Sequence, residues 1–189
     1  EATALLVGDA LQSLAFEVLS RPGLVEDAAV QVRMLNILAA ASGSRGMAGG
    51  QAIDLEAVGK PLELPQLEFM HILKTGALIR ASVNLGVLCG KPMGDAAINR
   101  LDHYAKCVGL AFQVVDDVLD ADASTATLGK TAGKDAASNK PTYVSLLGLA
   151  RARELASELR SDAHAALAGF GAEADRLRQL ADYIVLREF

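Results

Sequence analysis

Apolar residues recur at helical spacing through most of this chain, and that periodicity constrains its fold more than any other feature. The first run stops at Pro22 and Gly23 and consists of Leu6, Ala10, Leu14 and Val18. Ala- and Leu-rich stretches dominate, whereas Trp is absent and the chain has three Tyr and five Phe. These features predict an all-α protein and argue against a β-sandwich or barrel.

Glycine and proline divide the periodic runs into separate helices. We predict helices ending at Ser20 and then over residues 25–42, 65–88, 95–122, 141–167 and 172–187. The glycine-rich stretch 43–50 allows close packing or a bend, and residues 123–139 form a polar segment without periodicity that we interpret as a functional loop. With 189 residues, the expected organisation is one helical domain over 1–189.

Composition excludes several classes of function. The formal charge of -5 comes from 23 acidic and 18 basic residues without a basic stripe, so nucleic acid is not expected as a partner. Cys89 and Cys107 lie in apolar helical patterns and are predicted to be buried thiols in a cytoplasm-like compartment. Charged or amide residues interrupt every apolar run, so no membrane span is expected. The chain begins without Met on a helical pattern, and we expect a segment upstream.

Three carboxylates interrupt an otherwise apolar helix at Asp116, Asp117 and Asp120. Gln113 precedes them by three, four and seven residues, so the polar groups share one side of the helix. Carboxylates so close repel one another unless a cation lies between them, and their oxygens suit Mg²⁺. By itself this string is equally compatible with a solvated helix face or a helix end.

Lysines follow the acidic helix in the polar segment, at Lys130, Lys134 and Lys140. Acidic residues and nearby lysines can together bind a diphosphate, because the metal bridges carboxylate and phosphate while lysines neutralise the remaining oxygens. Lysines that merely solubilise a loop are the open alternative. The string Gly129-Lys130-Thr131 is not a Walker loop, since position 124 is Ser and no strand precedes it.

Two further polar groups interrupt other helices. Lys74 and Thr75 precede Gly76 in the middle of the predicted 65–88 helix, where glycine favours a local loosening or kink that exposes backbone carbonyls. Gln51 and Asp54 lie three residues apart after a glycine pair and share a helix face. Either group alone is a weak indication of a functional site. For Lys74 and Gly76, the alternative is a glycine that the helix tolerates beside a lysine on the surface.

Taken together, the motifs GGQxxDL, KTG, FQxxDDxLD, GK, GKD and NKPT occur in an order that resembles the trans-isoprenyl diphosphate synthases of the farnesyl and geranylgeranyl type. The resemblance implies an isoprenoid synthase-type helical bundle around a central cavity, of which this chain is the C-terminal portion, and a homodimer. The first aspartate-rich motif of the family and its isopentenyl diphosphate residues would lie upstream of Glu1.

The resemblance also implies roles for individual residues. Metal ligands would be Asp116 and Asp117, with Asp120 close by and bound through water. The lysines holding the allylic diphosphate would be Lys74, Lys130 and Lys140. The positive charge that forms on the allylic substrate when diphosphate leaves would be faced by Thr75, Gln113 and the Lys74 carbonyl. Phe112 would line the adjoining pocket. Lys74, Thr75, Gln113 and Asp116 would thus be the catalytic set.

The implied reaction begins with Mg²⁺-assisted ionisation of a dimethylallyl, geranyl or farnesyl diphosphate. The double bond of isopentenyl diphosphate then attacks the allylic cation, and a proton is lost to the departing diphosphate, giving farnesyl or geranylgeranyl diphosphate. Product length is left open. A class I terpene cyclase and a non-catalytic helical subunit of a prenyltransferase are the alternatives. A di-iron site is disfavoured because only Glu68 and His71 have the required spacing. We expect residues 1–189 alone not to elongate prenyl chains.

Overall fold

The computed structural model describes residues 2–126 and 141–187, and all regular structure in these two ranges is helical. The helices are α1 (Ala2–Ser20), α2 (Ala28–Ser42), α3 (Met47–Glu56), α4 (Leu64–His71), α5 (Ala77–Cys89), α6 (Asp95–Ala126), α7 (Tyr143–Leu147), α8 (Leu149–Ala166) and α9 (Asp175–Leu186). A π-helical segment, Ile72–Gly76, joins α4 to α5, and a 3₁₀ turn, Ala172–Ala174, precedes α9. The predicted all-α class is confirmed.

Side chains at the helix starts explain where several helices begin. The Asp27 carboxylate accepts a hydrogen bond of 2.8 Å from the Ala29 N–H, so α2 starts at Ala28 and not at the predicted residue 25. At the start of α4, Glu63 and Gln66 form a reciprocal capping box. A capping residue, and not the first apolar residue, therefore sets each of these boundaries.

The predicted 141–167 helix is two helices in the structure. Gly148 separates α7 from α8 with φ at 82°, a left-handed conformation that favours glycine, and its N–H donates to the Val144 carbonyl. Helix α6 extends four residues beyond its predicted end, to Ala126. The hydrophobic periodicity on both sides of Gly148 conceals the break because both helices bury their apolar faces against the same core.

Helix α6 is the centre of the bundle and contributes to both hydrophobic clusters. One cluster packs α6 against the end of α8 and α9, and its largest buried members include Leu101, Tyr104, Leu167 and Ile184. The second packs α6 against α4, α7 and α8 through Leu67, Met70, Val114, Tyr143 and Ala156. The buried members from α6 lie on one side of that helix, within residues 101–111 for the first cluster and residues 114–118 for the second. The other side of α6 is left for Gln113, Asp116 and Asp120.

Two surface features bear on the predictions from composition. Cys107 is buried but Cys89 is exposed, so the predicted burial is wrong for Cys89, which lies at the last position of α5. Ala2–Ser20 and Leu64–Cys89 are long and apolar enough to cross a membrane. This is weak evidence, because helices of soluble proteins pass the same test, and the absence of a span remains a prediction.

Candidate active site

The π-helical segment Ile72–Gly76 carries Lys74 and Thr75 at the predicted break in the 65–88 helix. The predicted local departure from α-helical geometry is therefore confirmed. Glycines of two neighbouring helices allow the segment to pack backbone to backbone. A Cβ at Gly50 of α3 would lie 2.2 Å from the Lys74 nitrogen, and one at Gly109 of α6 would lie 3.2 Å from the Gly76 Cα. No side chain fits at Gly50 without moving the segment.

Lys74 forms an ion pair with Asp54 across the interface between the π-helical segment and α3. The Lys74 Nζ donates to Asp54 Oδ2 at 2.8 Å, and the two side chains are 32% and 9% exposed. The sequence singled out both residues but did not predict their pairing. The contact directs the ammonium group toward the polar side of α3 while leaving about a third of the lysine accessible to a ligand.

Thr75 connects the same segment to the acidic helix. Its hydroxyl donates to Gln113 Oε1 at 2.5 Å, although the two residues are separated by 38 positions in sequence. Gln113 lies three residues before Asp116, which is a rise of about 4.5 Å along an α-helix. Two of the predicted cation-facing groups are thus brought together, next to the first predicted metal ligand.

Asp116 pairs with Arg187, a residue that sequence reasoning did not assign to the site. The Arg187 guanidinium also lies over the Phe112 ring, 4.3 Å from its centroid. Burial raises the pKa of Asp116 above its ordinary value, and the charge and hydrogen bond of Arg187 partly offset that rise. Phe112, predicted to line the substrate pocket, therefore carries a cation on one face.

Asp117 points to a different side of α6 from Asp116. Its Oδ2 accepts a hydrogen bond of 2.7 Å from the backbone N–H of Tyr143, the first residue of α7, and Asp117 is buried. The Tyr143 ring stacks on His71 with centroids 5.5 Å apart. Burial together with the nearby Glu68 and Asp117 carboxylates raises the pKa of the Tyr143 phenol. Asp117 thus anchors α7 to α6.

Comparison with known proteins identifies the family. The polyprenyl synthetase family model matches residues 1–180. The chain belongs to the polyprenyl synthetase family. It is 49% identical over 191 residues to the farnesyl diphosphate synthase of Escherichia coli, covering 99% of this chain and 64% of that protein. It is 44% identical to geranylgeranyl pyrophosphate synthase 7 of Arabidopsis thaliana, covering 100% of this chain and 55% of that protein.

Solved polyprenyl synthetase structures share the fold. An apo FPP/GFPP synthase from Zymomonas mobilis superposes with a TM-score of 0.83 at 43% identity, covering 98% of this chain and 61% of that one. A Helicobacter pylori geranyltransferase complexed with magnesium and isoprenyl diphosphate gives 0.77 at 34% identity, covering 98% and 60%. The fold is therefore that of isoprenoid synthases, and the present chain spans roughly half to two thirds of the length of these relatives.

The described acidic side chains differ in how well they can hold a hard divalent cation. Within residues 2–126 and 141–187, no three His, Cys, Asp or Glu side chains are grouped closely enough to form a metal centre by themselves. Asp116 nevertheless presents a carboxylate that is 44% exposed and already paired with a cation, and Asp120 follows one turn later. Asp116 therefore fits a magnesium ion whose remaining ligands are water or phosphate oxygens.

Two of the predicted substrate-binding residues, Lys130 and Lys140, lie outside the described residues. The nearest described position is Pro141, followed by Thr142, whose hydroxyl accepts from the Ser145 N–H at 3.0 Å. With Asp117 holding the Tyr143 N–H, the beginning of α7 is fixed to α6 directly after the segment that contains both lysines.

Proposed function

We propose that this chain forms the allylic diphosphate-binding side of a prenyltransferase that condenses an allylic diphosphate with isopentenyl diphosphate. Farnesyl or geranylgeranyl diphosphate is the product. The observation that carries the proposal is the π-helical segment, because it presents Lys74 and Thr75 beside Gln113 and one turn from Asp116. The Lys74 ammonium, the Thr75 hydroxyl and the Asp116 carboxylate then lie on adjoining surfaces. Such groups can stabilise the charges that develop when a diphosphate leaves an allylic substrate.

Each residue has a distinct part in this proposal. Lys74 binds a diphosphate oxygen through its accessible ammonium group, and Asp54 keeps that group oriented. Thr75 and Gln113 hold each other in place and present oxygen atoms to the positive charge that develops when diphosphate leaves. Phe112 adds an aromatic face to the same region.

Magnesium is the proposed metal, held by Asp116, with Asp117 and Asp120 contributing negative charge nearby. When bound, Mg²⁺ supplies Lewis-acid stabilisation of the departing diphosphate. Lys130 and Lys140 are proposed to neutralise the remaining oxygens of the diphosphate.

The protein is proposed to reside in a reducing, cytoplasm-like compartment, because Cys89 and Cys107 are free thiols. Residues 1–189 are proposed to act as a single helical domain.

Elongation assays with two chains test the proposal. We expect residues 1–189 alone to bind diphosphate weakly and to show no elongation, because one acidic cluster does not hold both ends of a metal-bound diphosphate. A longer chain that also carries the part of the relatives not covered here should extend geranyl diphosphate with labelled isopentenyl diphosphate and Mg²⁺. Elongation by 1–189, or none by the longer chain, would contradict the assignment of the catalytic charges.

We further propose a homodimer that buries one face of α1. This helix has no buried residue, and its exposed apolar side chains form a stripe at heptad-like spacing through Val7, Leu11, Leu14 and Val18. Leu11 is 60% exposed, which is unusual for a leucine at the centre of an apolar stripe. A second copy of α1 would cover this stripe.

Light scattering at micromolar concentration should give twice the chain mass, and Leu11→Arg with Leu14→Arg should give the monomer mass. Asp9→Arg with Ser13→Arg is the matched control, since both residues lie on the opposite face of α1 by helical geometry. The control should remain dimeric. A monomeric parent chain, or dissociation by both pairs of substitutions, would rule out the α1 interface.

A further inference from the structure

Arg187 occupies an unusual position at the end of α9. Its backbone is extended, with φ at -64° and ψ at 146°, and its N–H donates to the Tyr183 carbonyl as the last contact of that helix. The guanidinium reaches α6, where it pairs with Asp116 and covers the Phe112 ring. The side chain is 12% exposed, whereas that of Asp116 is 44% exposed.

The contacts of the Arg187 guanidinium are incomplete. Its Nε is buried and has no hydrogen-bond acceptor within residues 2–126 and 141–187. A buried donor without an acceptor raises the free energy of this side-chain conformation. Movement of the side chain into water would let the Nε–H donate a hydrogen bond to water. Arg187 is therefore held chiefly by the Asp116 charge and the aromatic ring.

There is room for the side chain to move. Arg187 also borders an open cavity of about 790 Å³ between α6, α8 and the end of α9, whose lining includes Leu119, Arg160 and the ion pair of Asp122 with Arg153. Because Arg187 is the cap residue of α9, a rotation at its own backbone can redirect the guanidinium into this cavity without unwinding the helix.

We propose that Arg187 is an internal counter-cation of Asp116 that a divalent metal must displace before it binds that carboxylate. The inference rests on the proposed function, since it takes Asp116 as a metal ligand. Without metal, Arg187 pairs with a carboxylate that is 44% exposed and so can still be reached by a second cation. A divalent cation bound at the exposed side of Asp116 would take the place of the guanidinium. Arg187 therefore lowers the metal affinity of the empty site while keeping its carboxylate oriented.

Titration of the 189-residue chain with Mn²⁺ alone, followed by the electron paramagnetic resonance signal of free Mn²⁺, tests this competition. Arg187→Gln should bind Mn²⁺ about three- to tenfold more tightly than the parent chain, because a partly exposed ion pair of ordinary strength no longer competes. Arg80→Gln is the matched control. Arg80 also joins α6, through Asp102 at 3.0 Å, but it neither contacts Asp116 nor lines the cavity beside Arg187. It should bind Mn²⁺ as the parent does.

A second readout follows Arg187 directly in the parent chain. The Nε–H resonance of Arg187, assigned by its loss in Arg187→Lys, should shift when diamagnetic Mg²⁺ is added, and that of Arg80 should not. This measurement decides the question even if Arg187→Gln does not fold. Equal Mn²⁺ affinity of Arg187→Gln and the parent, or an Arg187 resonance unmoved at saturating Mg²⁺, would overturn the proposal.

Asp116→Asn separates the two levels of the inference. If it weakens Mn²⁺ binding while Arg187→Gln changes nothing, the metal assignment stands and the competition by Arg187 is disproved. If Asp116→Asn leaves Mn²⁺ binding unchanged, the metal assignment in the proposed function fails, and the inference about Arg187 fails with it.

Discussion

Replacing Lys74 by methionine should lower kcat/KM of the longer enzyme about 10²- to 10³-fold, the usual cost of removing one preorganised charge-stabilising group. The Lys74 ammonium is fixed by Asp54 at 2.8 Å on a backbone segment that packs against two helices, so its charge is already oriented for a departing diphosphate. Steady-state kinetics with geranyl and isopentenyl diphosphates measure the change. Most of the loss should appear in kcat, since the leaving-group charge increases in the transition state.

Two controls distinguish this loss from a folding defect. Lys106→Met removes a lysine that is 56% exposed and paired with Asp102, and kcat/KM should stay within about twofold of the parent. Asp54→Asn combined with Lys74→Met removes the buried carboxylate that the single substitution leaves without its lysine. If the double variant recovered activity, the effect of Lys74→Met would be structural and its proposed role would be wrong.

Asp116→Asn is expected to weaken Mg²⁺-dependent binding of a non-hydrolysable allylic diphosphate by about 10²-fold, whereas Asp122→Asn should change it by less than about threefold. Both aspartates lie on α6, and each is paired with an arginine, Arg187 for Asp116 and Arg153 for Asp122. Each substitution therefore removes one ion pair with an arginine from an aspartate of similar exposure, 44% for Asp116 and 40% for Asp122. Only Asp116 adjoins the Thr75–Gln113 contact.

Isothermal calorimetry with and without Mg²⁺ gives the two affinities. Without Mg²⁺, Asp116→Asn should bind the diphosphate no more weakly than the parent, because removal of a carboxylate reduces repulsion of the ligand. Equal losses in the two variants would indicate that the acidic helix is a solvated face and that the metal ligands lie elsewhere.

Sequence periodicity was sufficient for the fold but not for its interruptions. The long helix through Lys74 and the acidic helix begin within one residue of their predicted starts, because apolar residues continue on one face over many turns. The break at Gly148 was missed, since a single glycine between two periodic runs gives no sign of its φ angle. Helix α2 starts later than predicted because the Asp27 side chain accepts a hydrogen bond from a backbone N–H of the first turn.

The site was only partly predictable for a related reason. Polar residues beside a glycine or beside carboxylates single out Lys74, Thr75 and Gln113 in apolar helices, but the roles predicted for them come from the resemblance to the family. The pairing of Asp116 with Arg187 spans 71 positions, and that of Asp117 with Tyr143 spans 26, so neither is encoded in local spacing. Both contacts depend on how α7 and α9 return to α6, which follows from packing and not from periodicity.

The glycine contacts at the π-helical segment also affect how much sequence change the site can tolerate. Gly50 lies against the Lys74 main chain and Gly109 lies against Gly76, so the separation of the π-helical segment from α3 and α6 is set by backbone dimensions and not by side-chain volumes. Exchanges among the aliphatic residues of the two hydrophobic clusters then alter packing elsewhere without shifting the lysine. The sequence in the interior of this bundle can therefore change widely while the position of Lys74, the proposed diphosphate-binding cation, stays constant.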